Sequence, residues 1–422
     1  MYEQLQNGEK LKPLVKEVES QIKEIQQQIE VTMEENQFKI LKSYREHQVA
    51  DFHFTPSTGY GYDDVGRDKL EAIYADVFGG EAAIVRPQII SGTHAIATCL
   101  FGVLRPGDEL LYITGQPYDT LEEVVGIRGN GNGSLKEFGI SYDCVQLLNE
   151  GDIDFDEVAK RIKPNTKVIG IQRSKGYAER PSFTISKLTE MIRFVKEIKK
   201  DVIVFVDNCY GEFVETKEPC HVGADLIAGS LIKNPGGGIV KTGGYIVGKR
   251  ELVDLASYRL TAPGIGKEVG ASLYSLLEMY QGFFLAPHVV GQALKGAIFT
   301  ASFLEKLQFK TNPKWDAKRT DLIQSVQFDD EQMMIAFCQG IQLAAPINAH
   351  VIPYPSEMPG YEDKVIMAAG TFIQGASIEL SADGPIRPPY IAYVQGGLTY
   401  AHVKIGILIA VDHLIKKGLL KI

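Results

Sequence analysis

The hydrophobic positions near the amino terminus repeat at helical spacing. Apolar side chains recur every three or four residues, and Lys, Glu and Gln fill the positions between them. The apolar stripe consists of Leu14, Val18, Ile22, Ile25 and Ile29. This spacing predicts an amphipathic helix whose stripe faces a packed surface. That surface could belong to the same chain or to a second copy, and the stripe alone leaves both possibilities open.

Further along the chain, short apolar runs alternate with amphipathic helical patterns. The segments that show this alternation are Ala82 to Val85, Ile96 to Val103, Glu109 to Ile113, Lys167 to Ile171, Ile185 to Ile198 and Val202 to Val206. Alternating strands and helices predict an α/β sheet with mostly parallel strands. Runs such as VIVFV, apolar at every position, suit strands that are buried on both faces. In such a sheet, active residues belong at the carboxyl ends of the strands.

The last part of the chain has a different pattern. Residues 251–309 have helical spacing, and from residue 327 onward short apolar runs recur among Pro-rich turns before a final helical segment. The runs Met333 to Phe337 and Phe372 to Leu380 are interpreted as strands. We therefore predict an N-terminal helical arm over 1–55, a large domain over 56–300 and a small α+β domain over 301–422.

Composition narrows the class of protein. The chain has 422 residues, 45% of them hydrophobic and 23% charged, which is typical of a globular protein with a large core. The net charge of -9 argues against a broad nucleic-acid surface. Five cysteines without a CxxC pair indicate a reducing compartment. No secretory signal and no long apolar run are visible, so we expect a cytoplasmic protein that acts on a small molecule without contacting a membrane.

An acid and a lysine follow two successive apolar runs. Asp207 ends the strand in VIVFVDNCYGEF, and Lys233 lies between the apolar run and the three glycines of DLIAGSLIKNPGGG. A lysine in apolar surroundings is costly unless it is paired, neutralised or used covalently. It can lose its proton near neutral pH and add to an aldehyde as a Schiff base. Asp207 could bind a protonated pyridine nitrogen, so the pair indicates pyridoxal 5'-phosphate.

A helix start offers the anion site that such a cofactor needs. Ser91, Gly92 and Thr93 open the helical segment of IISGTHAIATCLFGVL, and the free amides of a helix start attract phosphate. Tyr118 follows the run LLYIT, where it could stack on the cofactor ring and donate a proton to a leaving group. His94 is the alternative for stacking.

Two other kinds of site are not expected. The eight histidines form no HExxH motif, and Cys220 beside His221 has no second pair at zinc-ligand spacing. The glycines of NPGGGIVKTGG do not form GxGxxG after a strand, which argues against a dinucleotide loop. We therefore predict no metal.

The order of these fragments resembles a known enzyme family. SGTHA, PYDT, VDN and SLIK occur in the order seen in the fold-type-I pyridoxal phosphate enzymes of the cystathionine and methionine lyase group. The fuller run GYGYDDVGRDKLE, SGTHAI, IQRSKGY, VDNCYGEF, SLIKNPGGG and ADGPIRPPY is similar to the bacterial branch named for methionine gamma-lyase similarity and aluminium resistance. The similarity covers nearly the whole chain. It implies the fold-type-I PLP-dependent transferase fold, an α/β fold with a mostly parallel large-domain sheet and a smaller C-terminal α+β domain.

The resemblance also implies residue roles. Lys233 is the lysine that binds the cofactor, and Asp207 is the partner of its pyridine nitrogen. Ser230 and the backbone of Gly92 and Thr93 hold the phosphate, while Tyr118 stacks on the ring. For the substrate carboxylate, Arg387 in ADGPIRPPY resembles the arginine that related enzymes use, and Arg173 in IQRSKG is the alternative, because an arginine fork makes two parallel bonds to a carboxylate.

A neighbouring subunit is part of the implied site. In the family, a tyrosine of an N-terminal segment reaches the phosphate of the next subunit, so Tyr60 or Tyr62 is expected to act in this way in a homo-oligomer, a dimer of dimers. The wider lyase group has an arginine two residues after that tyrosine. Here Tyr60, Gly61 and Tyr62 are followed by no arginine before Arg67. The residue that neutralises the phosphate from the partner is therefore left open.

The implied activity is cleavage of a carbon–sulfur bond in a sulfur amino acid such as cystathionine or methionine. A freed Lys233 takes the α proton, and β- or γ-elimination follows. An aminotransferase or aldolase-type reaction uses the same cofactor residues and is an alternative, and a non-catalytic binding or regulatory protein of this fold is another. The aluminium-resistance phenotype matches no aluminium site in the residues, and we interpret it as indirect, through sulfur metabolism.

Overall fold

A computed structural model describes residues 2–149, 151–358 and 361–422. The chain divides into two compact units. The large unit is Asn36–Phe284, and the small unit combines Met1–Glu35 with Leu285–Ile422. These units group the first 35 residues with the C-terminal part of the chain. The three segments predicted from the sequence, with boundaries after residues 55 and 300, stay a prediction.

The helices and strands lie in the order that the sequence pattern indicates for most of the chain. The helices are α1 (Gly8–Glu46), α2 (Val65–Phe78), α3 (Gly92–Val103), α4 (Asp119–Val125), α5 (Phe155–Arg161), α6 (Ile185–Ile198), α7 (Arg250–Leu260), α8 (Leu276–Lys306), α9 (Glu331–Leu343) and α10 (Tyr400–Lys416). The strands are β1 (Ala82–Arg86), β2 (Glu109–Tyr112), β3 (Ser141–Cys144), β4 (Thr166–Gln172), β5 (Ile203–Asp207), β6 (Leu226–Ser230), β7 (Gly244–Gly248), β8 (Lys310–Asn312), β9 (Gln324–Gln327), β10 (Val365–Ala368), β11 (Ser381–Pro385) and β12 (Ile391–Gln395).

The sheet of the large unit confirms the predicted α/β fold. Its described strands run in the order β1-β7-β6-β5-β4-β2-β3, and the neighbours from β6 to β3 are all parallel. β7 is antiparallel to both β6 and β1. Every residue of β5 is buried, as expected for a strand covered on both faces. The parallel pairing of β4, β5 and β6 brings their carboxyl ends to the same edge of the sheet.

The small unit contains an antiparallel sheet of order β10-β11-β12-β9-β8 in its described part. The first part of α1 packs into the core of this unit. Val18 and Ile22 are fully buried there, and Leu14, Ile25 and Ile29 are partly buried against the same core. The predicted apolar stripe therefore covers its own chain. Among the described helices, none is both long enough and apolar enough to cross a membrane.

Two predicted strands of the C-terminal part are wrong. Met333 to Phe337 lies inside α9, which begins after Asp330, whose carboxylate caps the helix by accepting a bond from the Met333 amide at 2.8 Å. A short apolar run cannot by itself distinguish a strand from a buried helix. Phe372 to Leu380 consists of turns and irregular backbone, and the strand begins only at Ser381.

The packing of the α1 stripe generates a stability prediction. Ile22 is fully buried in the core of the small unit, so Ile22→Ala should lower the free energy of unfolding by about 2–5 kcal/mol. The neighbouring Lys23 is exposed, and Lys23→Ala on the same helix should change it by no more than about 0.5 kcal/mol. Urea unfolding of the two variants measures the difference. Equal midpoints would contradict the assigned packing.

Candidate active site

The first wall of the candidate site is the start of α3. Ser91 caps this helix, because its hydroxyl oxygen accepts a bond from the His94 amide at 3.0 Å. The amides of Gly92 and Thr93, in the first turn, have no partner within the helix. Free amides of this kind at the start of a helix attract an anion such as phosphate. His94 is occupied by a local contact, since its Nδ1 accepts a bond from the Ile90 amide at 3.2 Å.

The end of β6 lies directly against this helix start. A side-chain Cβ on Gly92 would lie 3.4 Å from the Ser230 Cβ and 3.4 Å from the Cys209 sulfur, which shows how closely the helix start approaches the end of β6. Ser230 is buried, and its hydroxyl oxygen accepts a bond from the Ile232 amide at 3.3 Å. The chain then turns at Lys233, whose amide bonds the Ser230 carbonyl at 3.4 Å. The predicted neighbours Gly92 and Ser230 are therefore adjacent in the structure.

Asp207 ends β5, the strand next to β6. Its side chain is 6% exposed, and its Oδ1 accepts a bond from the Cys209 amide at 3.1 Å. Burial raises the pKa of this carboxyl, although the positive charges of Lys233 and Arg180 oppose the shift. The carboxylate is thus incompletely compensated by the chain itself. A cationic N–H partner would complete it.

Lys233 is in electrostatic contact with Asp207, as the sequence predicted. Its Nζ lies 4.0 Å from the centroid of the Tyr210 ring. Burial lowers the pKa of Lys233, but Cys209, Tyr210, Tyr118 and Asp207 raise it by more, so that it lies well above its ordinary value. The direction of this shift follows from the acidic groups that surround the amine. That the lysine can lose its proton near neutral pH stays a prediction.

Tyr118 lies near Lys233. It precedes the first residue of α4 and is half-buried. It is close enough to Lys233 to raise the pKa of the amine, and its ring carbon Cδ2 lies 3.9 Å from the position a Cβ would take on Gly176. The structure thus brings Tyr118 together with the residues at the ends of β5 and β6. We call Gly92, Thr93, Asp207, Ser230 and Lys233 the strand-end site.

The strand-end site fits pyridoxal 5'-phosphate by the chemistry of its donors. Helix amides and a serine hydroxyl suit a phosphate, a lysine amine suits an aldehyde, and an undercompensated buried acid suits a protonated ring nitrogen. Within the described ranges, no group of three or more His, Cys, Asp or Glu side chains is placed to hold a metal ion.

Comparison with known proteins identifies the family of the chain. The sequence model described as methionine gamma-lyase matches residues 11–415 of the chain. The chain belongs to the methionine gamma-lyase family. YnbB of Bacillus subtilis is 72% identical over 421 residues, covering 100% of this chain and 100% of that protein.

Two solved structures show the same fold. The structure of a carbon-sulfur lyase involved in aluminum resistance from Clostridium novyi NT has a TM-score of 0.93 and 50% sequence identity, and the match covers 96% of each chain. The pyridoxal-5'-phosphate-dependent protein YhfS from Escherichia coli has a TM-score of 0.62 at 16% identity, covering 92% of this chain and 97% of that one. The predicted fold-type-I architecture is therefore confirmed for this family member.

The two arginines predicted for the substrate carboxylate have different surroundings. Arg173 is fully buried in the large unit, where its Nη1 donates to the Asn208 side chain at 2.8 Å and pairs with Glu218 at 3.4 Å. Arg387 belongs to the small unit, is about half exposed and pairs with Asp363 at 2.9 Å. Both guanidinium groups pair with an acid, but a fully buried guanidinium is less accessible to a substrate than a half-exposed one. Of the two, Arg387 is the better candidate, and both roles stay predictions.

The tyrosines predicted to act on a neighbouring subunit lie on the surface of the large unit. Tyr60 is 72% exposed and Tyr62 is 62% exposed, with ring centroids 5.5 Å apart. The Tyr60 carbonyl accepts a bond from the Gly270 amide at 2.8 Å, which fixes the backbone of this segment. Within the residues that the structure describes, neither ring is placed in hydrogen-bond contact with the strand-end site. Their predicted role in a partner's site stays a prediction.

Two residues near the site were missed in the sequence analysis. Tyr210 lies against Lys233, and Arg180 is buried and influences Asp207 electrostatically. The Arg180 guanidinium donates to the carbonyls of Gln172 at 3.1 Å and Ser174 at 2.6 Å. No spacing rule links residue 180 to residue 207, so only the fold reveals this contact. Tyr210 follows Asp207 closely in sequence, but its ring direction depends on the backbone turn.

Behind the strand-end site, polar side chains form a buried network. Its members are Arg173, Asn208, Glu212, Glu218 and Tyr245. The Asn208 amide nitrogen donates to Glu218 at 2.9 Å, and the Tyr245 hydroxyl donates to Glu212 at 2.6 Å. Arg173 offsets part of the charge of Glu218, whose pKa burial still raises, whereas Glu212 has no cation at bonding distance among the described residues. Burial consequently raises the pKa of Glu212 to about 8.

Glu212 should make stability depend on pH. In the folded chain the Glu212 carboxyl keeps its proton up to about pH 8, whereas in the unfolded chain the same carboxyl releases it near the ordinary pKa of 4.5. The contribution of Glu212 to stability is therefore fully present below pH 4.5. As pH rises from 4.5 to about 8, the free energy of unfolding decreases by at most about 1.4 kcal/mol per pH unit. Glu212→Gln should remove this decrease.

Thermal unfolding at several pH values between 5 and 8 measures the effect. The exposed Glu251 provides the matched control, because Glu251→Gln removes a carboxyl without changing a buried group. A wild-type profile that stays parallel to the Glu212→Gln profile over this range would show that Glu212 is ionised in the folded chain.

Proposed function

We propose that the chain is a pyridoxal 5'-phosphate-dependent carbon–sulfur lyase that acts on a sulfur-containing amino acid of the cystathionine or methionine type. The observation that carries the proposal is the meeting of the Lys233 amine, the Asp207 carboxyl and the start of α3 at the carboxyl ends of β5 and β6. Membership of the methionine gamma-lyase family supports the reaction class.

Each residue of the strand-end site has a defined task in this proposal. Pyridoxal 5'-phosphate supplies an aldehyde carbon and an electron-accepting ring when bound. The Lys233 amine attaches it and afterwards takes the proton from the substrate's α carbon. Asp207 holds the proton of the ring nitrogen, because a buried carboxylate favours a cationic partner. The Gly92 and Thr93 amides and the Ser230 hydroxyl bind the phosphate.

Tyr118 and an arginine complete the substrate side. Tyr118 covers the cofactor ring, and its hydroxyl can donate a proton to the departing sulfur. Arg387 binds the substrate carboxylate through its planar guanidinium, and its bond to Asp363 keeps it oriented until substrate arrives. Elimination of a thiol at the β or γ carbon would leave an enamine, which water hydrolyses to ammonia and a keto acid.

A homo-oligomer belongs to the same proposal. The exposed rings of Tyr60 and Tyr62 support it, because large aromatic side chains at a surface are typical of residues that contact a partner. In a dimer of dimers, one of these tyrosines binds the phosphate in the neighbouring site. Sedimentation of the purified chain determines the state, and a fully active monomer would contradict this part.

The assignment of Lys233 predicts a spectroscopic loss. Lys233→Ala should abolish both the visible absorbance that follows addition of pyridoxal 5'-phosphate and the lyase activity, because no other amine of the strand-end site is available. The exposed Lys241, on the far side of the glycine turn, provides the control: Lys241→Ala should keep both. An unchanged spectrum in Lys233→Ala would remove the lysine from its role.

The reaction class is tested on the wild-type protein. Release of ammonia and a thiol from cystathionine or methionine, without an added keto acid, is the expected result for a lyase. Keto acid formation only after an amino acceptor is added would identify an aminotransferase instead. A protein that stays colourless with pyridoxal 5'-phosphate would be a non-catalytic member of the fold.

A further inference from the structure

The loop after Asp207 has an unusual backbone. Tyr210 has a φ of +70° and Phe213 a φ of +61°, although neither is glycine. Side chains with a Cβ disfavour this left-handed region by about 1–2 kcal/mol each. Such conformations persist only where the surroundings determine them, and they are enriched at functional sites.

The buried network holds this loop at two points. Asn208, its first residue, accepts from Arg173 at 2.8 Å and donates to Glu218 at 2.9 Å. The other oxygen of Glu218 accepts from the Phe213 amide at 2.8 Å. Both side chains are completely buried. Loss of one member would leave a buried charge or donor without its partner, which makes the loop conformation costly to change.

The turn directs the Tyr210 ring to the lysine amine. The Lys233 Nζ lies 4.0 Å from the ring centroid, within the distance at which an ammonium is attracted by an aromatic face. In a partly desolvated site this attraction is strong enough to restrict a flexible lysine side chain. The lysine side chain rotates about four carbon–carbon bonds, so a contact at the amine itself is needed to fix the position of the amine.

We propose that Tyr210 is a positioning residue for Lys233. Its ring holds the lysine amine in place within the strand-end site. The Asn208–Glu218–Arg173 cluster keeps Tyr210 in the backbone turn that directs its ring to the amine. This inference rests on the proposed function, in which the Lys233 amine attaches the cofactor and moves a proton. The ring favours the protonated amine, so it retains the lysine near the site whenever the amine is not covalently used.

The test is a pH profile of Lys233 reactivity in the full chain without cofactor. Acetic anhydride labels only the unprotonated amine, and mass spectrometry of the Lys233 peptide against that of the exposed Lys200 gives an apparent pKa. Tyr210→Gly fits the left-handed backbone but lacks the ring, and it should lower this pKa by about one unit. Tyr210→Phe keeps the ring but removes the hydroxyl, which also raises the Lys233 pKa, so it should lower this pKa by less than Tyr210→Gly does.

Among the described residues, five ionisable groups face Lys233. They are Asp207, Cys209, Tyr118, Tyr210 and Glu212. Tyr210→Phe removes the Tyr210 hydroxyl and leaves the other groups, so a shift as large as that of Tyr210→Gly would assign the effect to the hydroxyl and overturn the proposal. An unchanged pKa in Tyr210→Gly would overturn it as well.

A second variant without a ring is the control for misfolding of Tyr210→Gly. Asn tolerates the left-handed region, so Tyr210→Asn should reproduce the shift of Tyr210→Gly with an unchanged circular dichroism spectrum. A Lys233 pKa equal to that of the wild type in both variants contradicts the positioning role even where activity is lost. The proposed function is judged separately, because its failure is a wild-type protein without absorbance in pyridoxal 5'-phosphate, whatever the labelling shows.

Discussion

The central constraint on the large unit is that a carboxyl and an amine are held together at the ends of two neighbouring buried strands. Removing such groups from water costs several kcal/mol unless they are paired and hydrogen-bonded. Asp207 is compensated in part by Lys233, Arg180 and the Cys209 amide, and burial still raises its pKa. The incomplete compensation makes the position suitable for a cationic ligand atom, which is the chemistry that the ring nitrogen of a pyridine cofactor offers.

The polar groups behind this pair are also buried and also need partners. Arg173 and Glu218 neutralise one another, and Asn208 bonds both. A buried ion pair of this kind contributes little net stability compared with apolar packing, but it fixes geometry because each partner would be costly to leave alone. The loop that carries Tyr210 begins and turns within this cluster. Buried charge therefore specifies the conformation of a loop that touches the lysine.

Family membership and site geometry support different parts of the functional conclusion. The match of the methionine gamma-lyase family over residues 11–415 establishes the relationship, and the solved relatives establish the fold. The strand-end site adds a chemical reason why a chain of this fold would bind an aldehyde-bearing phosphate. Choice of substrate and of the carbon at which elimination occurs depends on residues that face the substrate, which a shared fold does not fix.

The sequence by itself determined the α/β class, the strand ends at Asp207 and Ser230, the helix start at Ser91 and the stripe of α1. These follow from local periodicity and from the preferences of caps and turns, which act over a few residues. Tertiary structure decided that Arg173 pairs with Glu218 and that the Tyr210 ring meets Lys233. Those outcomes depend on contacts between residues far apart in the chain and on a backbone turn that local preference disfavours, so no sequence pattern could reveal them.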